Sequence, residues 1–183
     1  VDMGRFYALS DSDPMFGQLK DRFLGMRPPR FPDLFEALAN AVANQQLSLE
    51  VGLTLLNRLT IAFGASAAGG SGPAAFPSAE ALVGACPDEV RRLGFSANKT
   101  DYLLGIADAV ATGVLDEGVL ERVGRPEALR QLSALRGVGR WSAEYVLLRG
   151  LGRLDVYPGD DVGARNALRG FFGLDHDPGY DEI

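Results

Sequence analysis

Cysteine and histidine are almost missing from this chain: Cys86 and His176 are the only ones among 183 residues. A lone cysteine forms no intrachain disulfide. It cannot anchor an iron–sulfur cluster or a cysteine-ligated zinc within this chain. A lone histidine leaves no material for a histidine-based triad or zinc site. Long apolar runs are absent as well, so no segment reads as a bilayer span and no membrane partner is expected. The opening residues do not form a basic-then-apolar leader, and a reducing, cytoplasmic setting is the expectation. Lysine is scarce: of 18 basic residues only Lys20 and Lys99 are lysines. The net charge of −6 works mildly against a polyanionic partner held by side-chain charge alone. Sustained strand-like alternation is missing, so nothing demands a sheet.

What is present is helical. A hydrophobic fraction of 46% over this length supports a real core. FPDLFEALANAVANQQ carries Leu34, Phe35, Leu38 and Val42 at helical spacing. Ser48 is placed to cap a second helix with its stripe at Val51, Leu55, Leu56 and Leu59. Ala65 to Pro77 reads as a surface loop by its Gly, Ser and Pro content. Ser78 and Ser96 are further caps, Pro87 suits a first turn and Gly94 a helix end. Short helices follow around Asp116–Val123 and Pro126–Leu135. The expected fold is all-α, a bundle of short helices joined by short loops.

The stretch LRGVGRWSAEYVLLRGLGRLDVYPGDDVG, Leu135 to Gly163, carries the chemistry. PEALRQLSAL and RWSAEYVLLRGLG read as helices joined by RGVG, a helix–hairpin–helix. Gly137 and Gly139 let the backbone turn tightly, in conformations that a Cβ is expected to strain. Unpaired N–H groups at Gly137, Val138, Gly139 and the helix start at Arg140 form a natural phosphate site. Gly is also the ordinary helix terminator, so GVG by itself reads more readily as a plain turn. Trp141 and Tyr145 are four apart and share a face, either as core aromatics or as the wall of a pocket. Asp160 and Asp161 precede VGARNALRGFFG, helical in pattern; Asp160 is expected as its N-cap and Asp161 in its first turn, where the dipole favours a carboxylate. A carboxylate beside aromatics and a phosphate-binding turn can stabilise an oxocarbenium ion on deoxyribose as a base leaves.

These residues resemble the helix–hairpin–helix superfamily of DNA glycosylases, and are most similar to the 3-methyladenine DNA glycosylase II family. The resemblance runs from FPDLFEALANAVANQQLS to GDDVGARNALRGFFG. It implies that Asp161 is catalytic, that Trp141 and Tyr145 line the pocket of a flipped base, and that the hairpin binds DNA. NQQLS matches a loop that enters the minor groove, with Gln46 at the wedge position beside Gln45; a polar helix end is the alternative for both. The resemblance further implies main-chain carbonyls of Ser133, Leu135 and Val138 around a structural Na+ or K+, and no cofactor for the chemistry.

The implied activity is a monofunctional glycosylase of base excision repair. It acts on damaged double-stranded DNA as a monomer, in the cytoplasm at the nucleoid, and releases alkylated purines. Bifunctional relatives place a Schiff-base lysine where this chain has Trp141; Lys99, on another helix, reads as a solvated charge. The alternatives are a related glycosylase for uracil, mismatched thymine or oxidised guanine, and a helix–hairpin–helix module that only binds DNA. Residues 1–30 read as the remnant of an N-terminal domain and 31–183 as the helical glycosylase domain, lacking its C-terminal helices. GYDEI reads as the beginning of a further helix, so the sequence is taken as a piece of a longer protein.

Overall fold

The computed structural model describes residues 4–66 and 74–180. Residues 67–73 of the expected surface loop, and residues 181–183 at the expected start of a further helix, lie outside them. Eleven α-helices occur among the described residues: α1 (Gly4–Ser12), α2 (Pro14–Arg22), α3 (Leu34–Asn44), α4 (Leu49–Phe63), α5 (Ala79–Leu82), α6 (Pro87–Arg92), α7 (Ala97–Ala111), α8 (Glu117–Arg122), α9 (Arg125–Ser133), α10 (Arg140–Arg149) and α11 (Val162–Phe172). No strand is found among those residues, and the all-α class expected from the sequence holds.

Helix α3 is the centre of the bundle. Asp33 caps it by accepting the Glu36 N–H at 2.8 Å. Eight of its eleven residues are buried, including Phe35, Leu38 and Val42. A helix apolar on nearly every side must be surrounded, and α3 packs against α4, α7 and α10. Its alanines 37, 39, 41 and 43 are buried and keep those neighbours close. Gly150 lies against Ala37, where a Cβ would come within 2.9 Å of the alanine methyl. The serines at 48, 78 and 96 cap α4, α5 and α7 as the sequence predicts.

The segment before α3 is tied to the end of α10. Phe31 N–H donates to the Arg149 carbonyl at 2.8 Å, Arg30 donates twice to the Gly150 carbonyl, and Arg149 Nε reaches the Pro29 carbonyl at 2.7 Å. These bonds fix α10 against α3 at the end opposite the hairpin. Two helices, α1 and α2, occupy the expected N-terminal segment, for which the helical stripes of the sequence give no element. Asp13 caps α2 by accepting the Met15 N–H, with Pro14 in the first turn; this Asp–Pro signature was available in the sequence. Among the described residues, no helix is long and apolar enough to cross a membrane.

Candidate functional site

The turn between α9 and α10 forms the hairpin. Gly137 has φ +86°, a region that a Cβ disfavours. A Cβ there would also lie 2.2 Å from the Tyr102 ring of α7. Gly139 corrects the expectation of strain at both glycines: its φ is −84° and a Cβ would meet nothing within 4 Å. Gly139 is instead the N-cap of α10, and no side chain caps that helix. The first N–H groups of a helix lack intrahelical partners, so the turn presents donors at an open face. Val138 corrects the expectation of an unpaired donor: it is buried and anchors the turn to the core, and its N–H is spent on the Leu135 carbonyl at 3.1 Å, a turn bond inside the hairpin.

Trp141 and Tyr145 share a face of α10, one turn apart. Their rings stack at 5.3 Å between centroids with 23° between planes. Neither is fully buried. Tyr145 packs on the core edge beside Phe31, while the Trp141 ring borders a cleft. The Trp141 indole N–H donates to Asp161 Oδ2 at 3.0 Å. Burial pushes the Tyr145 phenol above its ordinary value, so it stays neutral.

Asp161, not Asp160, is the N-cap of α11. Its Oδ1 accepts the Ala164 N–H at 2.8 Å. The expected assignment shifts by one residue because a turn comes first: Asp161 N–H bonds back to the Pro158 carbonyl at 2.9 Å. Asp160 is spent as an interior position of that turn and is exposed. Both oxygens of Asp161 are therefore held by N–H donors, one from its own helix and one from α10.

A cleft of about 600 Å³ lies between the end of α3 and the hairpin. One wall is Asn44, Gln45, Gln46 and Leu47; the other includes Trp141, Ser142, Asp160 and Asp161. The two glutamines separate in role. Gln45 turns inward, its amide donating to the Gly137 carbonyl at 2.8 Å and to Ser142 Oγ at 2.9 Å. Gln46 is exposed and has φ +56°, the only non-glycine with positive φ among the described residues. A left-handed residue without a glycine is an unusual helix ending. The structure thus brings Gln45, Gln46, Arg140, Trp141 and Asp161 to one cleft, with Gly137, Val138 and Tyr145 immediately behind it.

Residues 39–183 match the HhH-GPD superfamily of base excision DNA repair proteins. The chain belongs to this superfamily. A DNA-3-methyladenine glycosylase of Bacillus subtilis (strain 168) is 32% identical over 183 residues, which is 100% of this chain and 60% of that protein. The 3-methyladenine DNA-glycosylase from Archaeoglobus fulgidus superposes with a TM-score of 0.82 at 30% identity, covering 97% of this chain and 60% of that one. A 3-methyladenine DNA glycosylase of Schizosaccharomyces pombe, in complex with abasic DNA, superposes with a TM-score of 0.74 at 30% identity, covering 94% of this chain and 82% of that one. The chain spans about 60% of the length of the Bacillus relative.

Three features of this HhH-GPD chain escaped the sequence reading. Lys99 is not a solvated charge: its Nζ donates to the Ala43 carbonyl at 2.8 Å and the Gln45 carbonyl at 2.7 Å, and burial pulls its pKa below the ordinary value. Glu144 is fully buried in α10. It accepts from Arg140 Nε at 3.2 Å and from the Tyr180 hydroxyl. The Arg140 guanidinium lies 3.3 Å over the Tyr180 ring, so a residue far along the chain orients the first residue of α10. The only available signal was Glu144 inside an apolar run with Arg140 four residues earlier. Nothing local marks Lys99 or Tyr180.

Proposed function

We propose that the chain is the excising module of a monofunctional DNA glycosylase. It takes alkylated purines of the 3-methyladenine type from damaged duplex DNA, acts as a monomer, and works on nucleoid DNA in the cytoplasm. The observation that carries this reading is the 3.0 Å bond from Trp141 Nε1 to Asp161 Oδ2, beside the stacked Tyr145 ring, at an open cleft. The names of the Bacillus, Archaeoglobus and Schizosaccharomyces relatives support the lesion class.

The chemistry follows from these groups. Flipping a damaged nucleotide costs less than flipping an intact one, because its pairing is already weakened. A purine alkylated on a ring nitrogen is cationic, and the faces of Trp141 and Tyr145 attract it, worth about 0.5–2 kcal/mol per contact. As the C1′–N bond breaks, its electron pair returns to the base, which leaves neutral. The positive charge passes to the sugar. Asp161 stabilises that charge and receives a proton as water forms the C1′–O bond. No general acid is needed for a leaving group that is already cationic.

Both lysines are otherwise engaged, which supports the absence of a Schiff-base step. Lys20 pairs with Asp11 at 2.6 Å, and Lys99 lies on two carbonyls. DNA is held by the N–H groups at Gly139 and the uncapped start of α10, with Arg140, half-exposed beside its Glu144 partner, adding positive charge at the same face. The carbonyls of Ser133, Leu135 and Val138 suit a monovalent cation. Ser133 is the last residue of α9, where helix carbonyls lack intrahelical partners and the dipole favours positive charge; Leu135 lies just beyond the helix, and its carbonyl, which already accepts the Val138 N–H, keeps a second lone pair for the ion. Incubation with duplexes carrying single defined lesions, followed by alkaline cleavage, tests the reading. Strand scission at alkylated purines is expected; scission only at uracil or oxidised guanine, or none at any lesion, overturns it.

A further inference from the structure

Lys99 stands where a lysine has no evident surface role. It projects from the first turn of α7, is partly desolvated, and spends both of its described hydrogen bonds on main-chain carbonyls at the end of α3. Those carbonyls, Ala43 and Gln45, belong to the group that a helix leaves without internal partners. The ammonium also complements the negative end of the helix dipole. The same Gln45 is gripped from the other side, where its amide bridges the Gly137 carbonyl and Ser142 Oγ. Three elements, α3, α7 and the hairpin, therefore converge on one residue. The next residue is Gln46, exposed at the cleft mouth with φ +56°.

We infer that Lys99 is a positioning residue for recognition of opened DNA. It locks the end of α3 against α7, so that Gln46 is held in its left-handed conformation facing Trp141 and Asp161. A side chain fixed there can fill the space that a flipped nucleotide leaves in the duplex. Lys99 touches neither DNA nor the reacting atoms; it acts through the Gln45 carbonyl. The inference rests on the cleft being the site of a flipped base, not on which lesion is excised.

The test is binding rather than turnover. Affinity is measured for two duplexes of one sequence, one intact and one carrying a tetrahydrofuran abasic analogue, with wild type, Lys99→Met, Gln46→Ala and the double variant. Wild type is expected to prefer the abasic duplex. Lys99→Met should weaken the abasic duplex about tenfold and the intact duplex little, and Gln46→Ala on top should add almost nothing, the non-additivity of residues acting as a unit. Lys99→Gln, shorter and neutral, takes the same measurements should Lys99→Met not fold. Three outcomes overturn the inference: no abasic preference in wild type, equal weakening of both duplexes, or independent effects of the two substitutions. Failure of the lesion assay is separate, since a chain that prefers abasic duplex but excises no alkylated purine loses the activity and keeps the role of Lys99.

Discussion

Trp141 and Asp161 are twenty residues apart and joined by one hydrogen bond, indole Nε1 to carboxylate Oδ2 at 3.0 Å. The other oxygen, Oδ1, accepts the Ala164 N–H at 2.8 Å. The carboxylate is thus locked between two helices, α10 and α11, by one donor from each. A fixed carboxylate needs no reorganisation as charge develops on a sugar, which is where electrostatic stabilisation is most effective. The aromatic and the acid form one unit rather than two neighbouring features.

Asp161→Asn should therefore slow excision strongly while leaving the fold intact. The amide can keep an oxygen on Ala164 N–H, so helix α11 retains its cap within about 1 kcal/mol. It loses the charge, and its NH2 would face the Trp141 N–H as a second donor. A fall of roughly 10²–10³-fold in single-turnover rate is expected, the size seen when one such electrostatic contact is removed. Affinity for an abasic duplex should stay near wild type. Wild-type turnover in Asp161→Asn would remove the residue from the chemistry, and equal loss in Asp160→Asn would move the role to the turn.

Trp141→Phe separates the hydrogen bond from the stack. Phenylalanine keeps an aromatic face against Tyr145 but has no N–H for Asp161. The freed carboxylate should turn toward water, and the excision rate should drop by about tenfold, corresponding to one charge-assisted hydrogen bond. Rates across pH, measured with a stable alkylated purine, read this directly. An unchanged rate would mean that the indole N–H does not orient Asp161.

Borohydride trapping on damaged duplex should give no covalent adduct. Lys99 would have to leave two carbonyls at 2.7 and 2.8 Å, and Lys20 would have to leave Asp11. Denaturing electrophoresis after reduction reads the result. A trapped band mapping to either lysine would establish a lyase step.

The helices and their serine caps were legible because both signals are local: an apolar stripe every three or four residues and a hydroxyl just before it. The hairpin and the Asp pair were legible as spacing. The boundary at Asp161 was not, since Asp160 and Asp161 are both good caps and only the Pro158 carbonyl, closing a turn on Asp161, decides between them. Lys99 was misread for a different reason. A lysine in a first turn looks solvated, and the carbonyls that hold it come from α3, more than fifty residues away. The coupling of Gln45 to Gly137 and Ser142 is equally remote, 92 and 97 residues along the chain. Sequence periodicity places side chains on faces; it does not say which faces meet.

The two hairpin glycines should respond differently to alanine, and the contrast separates stability from DNA contact. Gly137→Ala puts a Cβ 2.2 Å from the Tyr102 ring at φ +86°. Left-handed strain and overpacking together should cost about 2–4 kcal/mol of stability. Gly139→Ala meets no atom and sits at φ −84°, so stability should fall by no more than about 1 kcal/mol, the ordinary cost of Ala for Gly at an N-cap. Its methyl nevertheless stands at the uncapped start of α10, where a phosphate would approach the N–H groups. Affinity should fall for intact and abasic duplexes alike, because phosphate contacts carry no lesion information. The salt dependence should keep its slope, since no charge is removed. Arg140→Ala should lower the slope by about one ion with a smaller loss of affinity, and it should also lower the melting temperature, because it removes the cation paired with buried Glu144. Thermal melts and duplex titrations over a range of salt measure all three. If Gly139→Ala folds and binds both duplexes like wild type, the α10 N-terminus does not grip phosphate and the DNA contact lies elsewhere on the cleft face.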